Sequence, residues 1–488
     1  MRIPLDTDIV SDYKRFLAVK KLPKYTIEGC WAEFPDEYAS RVGIGTPEAA
    51  VDRLYRPGTK LFDYQSAIAQ LAITKRKFAV FADCGLGKTL MMLEYARHAA
   101  GEVRSVLIVC PLMVIPQTIS EWTRFYGADD APRRIKASEL AEWMETGTGI
   151  GITNYEALHE GIPQGNVGAL ILDESSMLKS HYGKWGQECI RLGRGLNWKL
   201  CLTGTPAPND RIEYANHAVF LDHFPTVNSF LARFFVNRGQ TNERWELKPH
   251  ALRPFYSALS HWCIFVSNPA VYGWKDNCRT LPPINVHIHN IAMTAEQRDA
   301  LGRETGTMLV TETGGIGVRG KLGQIAKGSY NGGKIATNKD AFIKTLVESF
   351  GDESTLIWCI YNAEQEAMEA CFPDAASISG DTDEDERTEL VESFKAGQRK
   401  ILISKPKILG FGLNLQVATR QVFSGLQDSY ESYYQAVKRS NRIGSTKPLN
   451  VHIPVTELEE PMVQNVLRKA SQIESDTRTQ EELFRAAF

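Results

Sequence analysis

The feature that most constrains the fold is a repeated order of short apolar runs, each separated from the next by a segment of helix-forming composition. One series lies between residues 77 and 206, and a second lies between residues 354 and 455. Buried strands that alternate with helices indicate a parallel sheet, so each series predicts one α/β lobe. The first series is KFAVFA, SVLIVCP, GIGITNY, GALILDE and WKLCLTGTP, and the second is STLIWCIYN, AASISG, KILISKP, RQVFSG and LNVHIPV.

A phosphate-binding loop is indicated at FADCGLGKTL, Phe81 to Leu90. Gly85 and Gly87 permit a tight turn between a strand and a helix, and backbone N–H groups of such a turn bind phosphate oxygens. The pattern GxxxxGK[ST] begins with glycine, whereas this chain has Ala82 at that position. If KFAVFA is a strand, Ala82 is its last residue. Taken alone, the stretch also fits an ordinary strand, turn and helix.

A second element of the same site is indicated by ILDESS, in which an apolar strand ends at Asp173 and Glu174. One carboxylate at this place can hold Mg²⁺, and its neighbour can polarise an attacking water. An acidic pair that caps a helix is the alternative for the motif alone. The order of the loop first and Asp-Glu some eighty residues later favours the nucleotide site.

Bulk properties exclude some classes of protein. The formal net charge of −2 gives no sign of nucleic acid, so any basic surface must be local. The nine cysteines form no CxxC pair, and we expect reduced thiols in a cytosolic protein. VLIVCPLMVI is interrupted by Pro111 and is shorter than the ~20 residues of a membrane helix, and MRIPLDTDIV is too acidic for a signal peptide. We therefore expect a cytoplasmic location.

From Leu61 to about Val455, the chain resembles SWI/SNF-type superfamily 2 helicases, with every motif in family order. LFDYQSAIA resembles the adenine-reading glutamine motif, and FADCGLGKTL resembles motif I. The other motifs are VLIVCPLMVIPQTISEWTRF (Ia), ITNYEAL (Ib), DESSMLKS (II), LTGTPAPND (III), TLIWCIYNAEQE (IV), GFGLNLQVA (V) and YYQAVKRSNRIGS (VI).

The resemblance implies an α/β fold with two tandem RecA-like parallel-sheet lobes, helical insertions and an ATP cleft between the lobes. The expected divisions are an N-terminal extension (1–58), lobe 1 (59–222), an insertion or linker that includes the start of lobe 2 (223–339), lobe 2 (340–456) and a helical tail (457–488).

The resemblance also implies the cofactors ATP and Mg²⁺ and a set of site residues. The implied catalytic residues are Lys88, Asp173, Glu174, Gln435, Arg439 and Arg442, with Arg442 as the arginine finger. The implied nucleotide-binding residues are Tyr64, Gln65, Asp83, Gly85, Leu86, Gly87, Lys88, Thr89 and Gly412, with Thr89 and Asp173 holding Mg²⁺. The implied DNA contacts are Pro111, Thr153, Asn154, Gly410 and Asn414.

Arg439 and Arg442 are three positions apart, so on a helix they would share a face and reach one phosphate group. An arginine supplied by the other lobe would stabilise the charge that develops on the transferred phosphoryl group. ATP binding would then close the cleft and hydrolysis would release it.

The implied partner is DNA, most directly duplex, contacted through its phosphate backbone without sequence reading. Basic side chains between the lobes either extend the DNA-binding surface or are ordinary surface charge. An aromatic hairpin in the same region could act as a wedge that separates the strands. The basic residues are Arg319, Lys321, Lys327, Lys334 and Lys339, and the aromatic residues are Phe234, Phe235 and Trp245.

The chain departs from the usual family pattern in motif II, which has Ser175 and Ser176, and at Ser445, which replaces the final glutamine of motif VI. The form DSYESYYQAVKRSNRIG resembles compact SWI/SNF-type proteins of bacteriophages and bacteria. The leading function is a DNA-dependent ATPase that translocates on duplex DNA. A helicase that separates or anneals strands at forks or R-loops, and an ATP-clamped recruitment protein with little turnover, remain as alternatives.

Overall fold

A computed structural model describes residues 1–6, 8–44, 55–180, 183–208, 210–239, 244–275, 281–307, 316–409, 413–426, 429–442 and 445–485. The chain divides into two compact units. The first comprises Met1–Asn277 with Ser475–Phe488, and the second comprises Cys278–Glu474.

The first unit opens with a small N-terminal module. It contains β1 (Arg2–Pro4), α1 (Val10–Val19), β2 (Thr26–Glu28) and β3 (Trp31–Glu33), and the strands form an antiparallel sheet in the order β1-β3-β2. Val19, Ala32 and Phe34 belong to a hydrophobic core of the module's own. Strands of three residues, each with a single buried or half-buried position, produce little periodicity, which explains why sequence patterns do not reveal the module.

The N-terminal module is joined to the rest of the first unit by polar contacts. The Tyr38 hydroxyl lies 2.6 Å from Nδ1 of His261, and Lys75 forms an ion pair with Glu37. These partners are separated by up to 223 residues in sequence. The module is therefore docked on the large sheet domain by specific contacts.

The large sheet of the first unit has seven parallel strands in the order β12-β4-β9-β8-β5-β7-β6. Its strands are β4 (Lys77–Ala82), β5 (Ser105–Cys110), β6 (Arg133–Arg134), β7 (Gly149–Asn154), β8 (Ala169–Asp173), β9 (Trp198–Thr203) and β12 (Cys263–Val266), and a hairpin is formed by β10 (Phe235–Asn237) and β11 (Trp245–Leu247). The helices of this region are α2 (Asp63–Lys75), α3 (Lys88–Ala100), α4 (Ile115–Tyr126), α5 (Ala137–Thr146), α6 (Lys184–Leu192), α7 (Tyr214–Phe220), α8 (Val227–Phe234) and α9 (Leu252–Leu259).

The helix α3 carries a buried carboxylate that ties several segments together. Glu94 has no solvent exposure, and it accepts hydrogen bonds from the hydroxyls of Tyr55 and Tyr126 at 2.9 and 2.8 Å. It also accepts from the backbone N–H of Gly58 at 2.9 Å and from Arg97 at 2.9 Å. Residues on both sides of the expected boundary at 58 are therefore connected through one side chain.

The second unit contains a six-stranded parallel sheet in the order β13-β20-β19-β16-β18-β17. Its strands are β13 (Ile284–Asn290), β16 (Thr355–Trp358), β17 (Ala376–Ser377), β18 (Ile401–Ser404), β19 (Arg420–Phe423) and β20 (Leu449–Val455), and β14 (Ser329–Tyr330) pairs with β15 (Gly333–Lys334). The helices are α10 (Ala295–Thr307), α11 (Ile316–Ala326), α12 (Asn338–Glu348), α13 (Asn362–Cys371), α14 (Glu384–Lys395), α15 (Pro406–Leu409), α16 (Tyr430–Val437) and the first part of α17 (Glu460–Arg485), whose residues from Ser475 onward belong to the first unit.

Both faces of this second sheet are covered by apolar packing. In β16, Leu356 and Trp358 belong to one hydrophobic cluster, whereas Ile357 belongs to another. Successive strand residues point to opposite faces, so this division is expected for a sheet buried on both sides. The predicted α/β class and the two parallel sheets are confirmed.

The region 223–339, expected as an insertion or linker that includes the start of lobe 2, contributes strands to both sheets. β12 pairs with β4 in the first sheet, and β13 pairs with β20 in the second. Each sheet therefore includes one edge strand from this region. Sequence order hides this because both strands pair with elements more than 150 residues away in the chain.

Among the described residues, no helix is both long enough and apolar enough to span a bilayer.

Candidate active site

The loop between β4 and α3 has the geometry of an anion-binding turn. β4 ends at Ala82, and α3 begins at Lys88. Gly85 and Gly87 have φ values of 92° and 76°, in the region that favours glycine. A Cβ atom at Gly87 would lie 2.3 Å from Nε2 of Gln65, so a side chain there would displace the Gln65 amide. Ala82 belongs to the strand, which explains why a residue with a Cβ fits at the first motif position.

Two side chains of α2 hold this loop in place through hydrogen bonds. The Tyr64 hydroxyl and the Gln65 side-chain amide donate to the carbonyl of Leu86, at 3.0 and 3.2 Å. Both side chains are buried, and the Gln65 oxygen accepts from the N–H of Phe62 at 3.1 Å. The structure therefore brings the expected adenine-reading pair together with the phosphate loop.

The ammonium group of Lys88 lies inside the turn. It donates to the carbonyl of Ala82 at 2.8 Å and approaches that of Asp83 at 3.4 Å. A Cβ atom at Gly204, after β9, would lie 3.5 Å from this ammonium. The lysine is thus surrounded by backbone, and it can exchange carbonyl oxygens for phosphate oxygens. Gly204 was not expected as a site residue, although it lies in the motif LTGTP.

The carboxylates of Asp173 and Glu174 lie at the end of β8. Because β8, β9 and β4 are parallel neighbours, their carboxyl ends meet at one edge of the sheet, where ligands of α/β proteins bind. Burial, and next the charge of Glu174, raise the pKa of Asp173 to about 7, whereas Lys88 acts in the opposite direction. The surroundings of Asp173 therefore disfavour its ionised form.

Glu174 has an unusual backbone for a residue with a side chain. Its φ of 49° and ψ of 50° are left-handed, a conformation that costs of order 1 kcal/mol for such residues. The carboxylate accepts a hydrogen bond from the hydroxyl of Thr203 at 3.2 Å, and that hydroxyl accepts from the N–H of Thr205. Thr203 thus positions Glu174 from the next strand. Sequence reasoning missed this role, although motif III contains the residue.

The donor set at this edge fits a hard divalent cation. The expected ligands are the Thr89 hydroxyl, in the first turn of α3, and the Asp173 carboxylate, and Mg²⁺ prefers such oxygen ligands. Burial, and after it the charge of Glu174, raises the pKa of Asp173, and a bound cation would favour its ionised form. Within the described residues, His, Cys, Asp and Glu form no cluster able to bind a metal without substrate.

The expected arginines of the second unit do not share a helix face. α16 ends at Val437, so Arg439 and Arg442 lie in the turn that follows. Arg439 is 1% exposed, and its Nε donates to the carbonyl of Gln435, itself a buried residue. Arg442 is half-buried and donates from Nε to the carbonyl of Lys438 at 2.8 Å. The helix-based prediction is therefore wrong, because Ser440 and Asn441 continue the chain as a turn.

The expected nucleic-acid contacts have unequal exposure. Asn414 is exposed, whereas Pro111 and Asn154 are half-buried. Thr153 is fully buried, and its hydroxyl donates to the carbonyl of Ile135 at 2.9 Å. This corrects the expectation that the Thr153 hydroxyl binds a phosphate. Gly410 and Gly412 lie outside the described residues.

Two of the expected basic-path residues are internal. Lys327 and Lys339 are buried and both form ion pairs with Glu459, the former at 3.0 Å. Their expected place on a basic surface is therefore wrong, since the carboxylate holds them in the interior. Lys321 pairs with Glu304 at 3.0 Å, and Lys334 is exposed. The Arg319 side chain lies outside the described part of the chain.

The aromatic residues expected as a wedge are also internal. Phe234 and Phe235 are 3% and 2% exposed, and Trp245 packs against the same core. The hairpin β10-β11 exists, but its described aromatic side chains face inward.

A glycine-turn phosphate loop and an Asp-Glu pair at the carboxyl edge of a parallel sheet define the first unit as a P-loop nucleotide-binding α/β domain, followed here by a second parallel-sheet domain. The SNF2-related domain family matches residues 74–335, and the helicase conserved C-terminal domain matches residues 338–444. The chain belongs to the SNF2-related family, the SWI/SNF type of superfamily 2.

Several relatives are similar over most of this chain. A putative ATP-dependent helicase/translocase, YwqA of Bacillus subtilis, is 24% identical over 77% of this chain and 43% of its own length. The DNA annealing helicase and endonuclease ZRANB3 of Bos taurus is 22% identical over 80% of this chain and 38% of its own length. The chain thus spans about two fifths of the length of these relatives.

A solved structure is also similar to this chain. The SWI2/SNF2 ATPase core of Sulfolobus solfataricus in complex with dsDNA is 20% identical, with a TM-score of 0.41, over 89% of this chain and 99% of that one.

Proposed function

We propose that this protein is a DNA-dependent ATPase that translocates on duplex DNA. The observation that carries the proposal is the convergence of Lys88, Asp173 and Glu174 at one edge of a parallel sheet, in a chain of the SNF2-related family. Names of relatives, a helicase/translocase and an annealing helicase, describe functions of the same class.

In the proposed reaction, each site residue of the first unit has one task. Lys88 exchanges its bonds to backbone carbonyls for bonds to the β- and γ-phosphates of ATP. Thr89 and Asp173 would hold Mg²⁺, which supplies charge neutralisation on the phosphates. Glu174, held by Thr203, orients the attacking water and accepts its proton.

The second unit contributes arginine in this proposal. Arg442 stabilises the charge that develops on the γ-phosphoryl group, and Arg439 and Gln435 support the turn that carries it. Arg442 donates to the carbonyl of Lys438 from Nε, and the terminal NH2 groups of the same guanidinium can contact phosphate, so this hydrogen bond is compatible with the proposed role.

Duplex tracking is favoured over strand separation by the aromatic residues of the hairpin. A wedge must break base stacking at about 1.4 kcal/mol per step. Phe234 and Phe235 are committed to the protein core, so they are not available for this task. The helicase acting on forks or R-loops remains the second candidate because of the annealing helicases among the relatives.

A recruitment protein that merely clamps ATP is disfavoured by the hydrolytic groups. Glu174 and both arginines have no role in simple retention of nucleotide. We further propose that the protein acts in the cytoplasm of bacteria or of phage-infected cells, which the form of motif VI supports.

ATP turnover in four parallel reactions tests the proposal. The reactions contain no nucleic acid, duplex DNA, single-stranded DNA or RNA, and each is repeated with Glu174→Gln. We expect the greatest stimulation by duplex DNA and none in the variant. Stimulation by RNA or single strands alone would overturn the duplex assignment. Equal turnover in all four reactions would overturn dependence on nucleic acid.

The mode of movement requires a second comparison. Displacement of the third strand from a triplex is measured beside displacement of one strand from a forked duplex, each with ATP. We expect triplex displacement without fork unwinding. Fork unwinding without triplex displacement would favour the helicase.

A further inference from the structure

The outward face of α1 carries an apolar stripe that none of the described residues of this chain covers. Ile9, Val10, Tyr13 and Leu17 are 49%, 71%, 53% and 42% exposed. Their spacing places Val10, Tyr13 and Leu17 on one side of the helix, opposite Val19, which packs into the module's core. The stripe therefore lies outside the internal core of the module, and a second molecule can bury it.

The two ends of α1 carry opposite charges. Asp6 and Asp8 are exposed where the helix begins, and Lys20, Lys21 and Lys24 are exposed where it ends. In the middle, Asp12 and Arg15 pair with each other at 2.9 Å. The stripe therefore lies between an acidic end and a basic end.

We propose that this surface binds a second copy of the same chain through antiparallel pairing of the two α1 helices. A two-fold axis near Tyr13 places Val10 of one copy opposite Leu17 of the other, so the stripes cover each other. The same axis brings the acidic end of each helix to the basic end of its counterpart. One surface thus supplies both halves of its own complement.

Other occupants match only part of the surface. A nucleic acid or an anionic membrane would attract Lys20 and Lys21 but would repel Asp6 and Asp8. An acidic peptide would likewise be repelled by Asp6 and Asp8. An identical helix in reverse orientation satisfies both ends and the stripe. The area of one helix pair is small, so we expect a weak, concentration-dependent dimer.

The first test is the mass of the full chain in solution, measured by sedimentation over a range of concentrations. We expect a monomer–dimer equilibrium that Leu17→Asp weakens at least tenfold, about 1.4 kcal/mol. Leu252→Asp, at a leucine that is 36% exposed on α9, is the matched control and should leave the equilibrium unchanged. A chain that stays monomeric, or a dimer that Leu17→Asp does not weaken, would overturn the proposal.

A charge exchange separates self-pairing from binding of an anionic partner. Asp6→Lys with Asp8→Lys should weaken the dimer by placing cations against cations. Adding Lys20→Glu with Lys21→Glu to the same chain should restore it, because each end again meets its opposite. If the four changes together dissociate the dimer further, antiparallel pairing is wrong. ATP turnover of the Leu17→Asp monomer is measured in parallel and should equal that of the unchanged chain, so failure of dimerisation is distinct from failure of the ATPase.

Discussion

Asp173 in the first unit and Glu459 in the second are both buried carboxylates, yet their surroundings shift their pKa values in opposite directions. Burial raises the pKa of each. Glu174 adds a negative charge beside Asp173 and brings its pKa to about 7. At Glu459, two ammonium groups, Lys327 and Lys339, outweigh burial and lower the pKa to about 2.

The direction of the pKa shift distinguishes a carboxylate whose charge is balanced within the fold from a carboxylate of the proposed active site. Glu459 has its counter-charges inside the protein, and they are in place at all times. Asp173 has one lysine against two carboxylates, and in the proposed function a bound cation would supply further positive charge. Charge balance in the interior thus distinguishes the structural cluster from the proposed active site.

The largest effect is expected from Lys88→Ala, which increases the imbalance at Asp173. One charged hydrogen bond contributes up to about 3 kcal/mol, so ATP affinity should fall by about 100-fold and turnover should disappear. Calorimetric titration with ATP measures the affinity. Lys184→Ala, at an exposed lysine on α6, is the control. Unchanged ATP affinity would remove Lys88 from the site.

Arg442→Ala tests whether the second unit lends a cation to the first. We expect turnover to fall by about 10³-fold or more with ATP affinity retained, because the guanidinium is needed chiefly as charge develops. Saturation kinetics with and without duplex DNA measure both quantities, and Lys447→Ala at an exposed lysine serves as control. Lost ATP affinity with a normal saturated rate would make Arg442 a ground-state ligand.

Glu174→Gln removes the negative neighbour of Asp173 and the proposed base together. Turnover should fall by about 10² to 10⁴-fold, since an amide does not accept the proton of water. ATP should remain bound, and the pKa of Asp173 should decrease because Glu174 raises it. Quenched-flow single turnovers, beside exposed Glu145→Gln, measure the rate. Wild-type turnover would contradict the assignment.

Glu459→Gln removes the negative charge from the buried cluster of Glu459, Lys327 and Lys339. Two buried ammonium groups lose their counter-charge, so the free energy of unfolding should fall by about 3 to 5 kcal/mol. Denaturant unfolding measures this, and exposed Glu460→Gln should change it by less than about 0.5 kcal/mol. Equal effects of the two variants would remove the cluster from the stability of the second unit.

The same variant predicts a pH dependence. The folded pKa of Glu459 is depressed from 4.5 to about 2, so its stabilising contribution is complete above pH 4.5 and is lost as pH falls toward 2. Glu459→Gln should therefore lose less stability than the unchanged chain across that interval.

Thr203→Val should give the smallest effect. It removes the hydroxyl that donates to Glu174, and one such bond contributes about 1 kcal/mol, so turnover should fall about fivefold with ATP affinity unchanged. Thr205→Val is the matched control, since among the described residues that buried hydroxyl has no hydrogen-bond partner. A larger loss in the control would contradict the positioning role of Thr203.

Strands and the phosphate loop could be predicted from sequence because their signals are local. KFAVFA, GALILDE and LNVHIPV all form strands within a residue of the expected runs. The buried state of Lys327 depends on Glu459, 132 positions later, and the contact of Thr203 with Glu174 spans 29 positions. Such contacts depend on tertiary packing, so a lysine on its own looks the same whether it faces solvent or a buried carboxylate.

The hydrogen bonds to Glu94 determine where this protein can be shortened at its N-terminal side. A chain that began at residue 59, at the start of the recognisable motifs, would lose the Tyr55 and Gly58 donors. Among the described residues, the buried carboxylate would then keep Tyr126 and Arg97 as partners, and it lies in the helix whose first residue is Lys88, the lysine proposed to bind phosphate. We therefore expect the smallest fragment that keeps the loop before α3 intact to begin upstream of the sequence motifs, so a transplanted domain would have to include the segment around Tyr55 and Gly58.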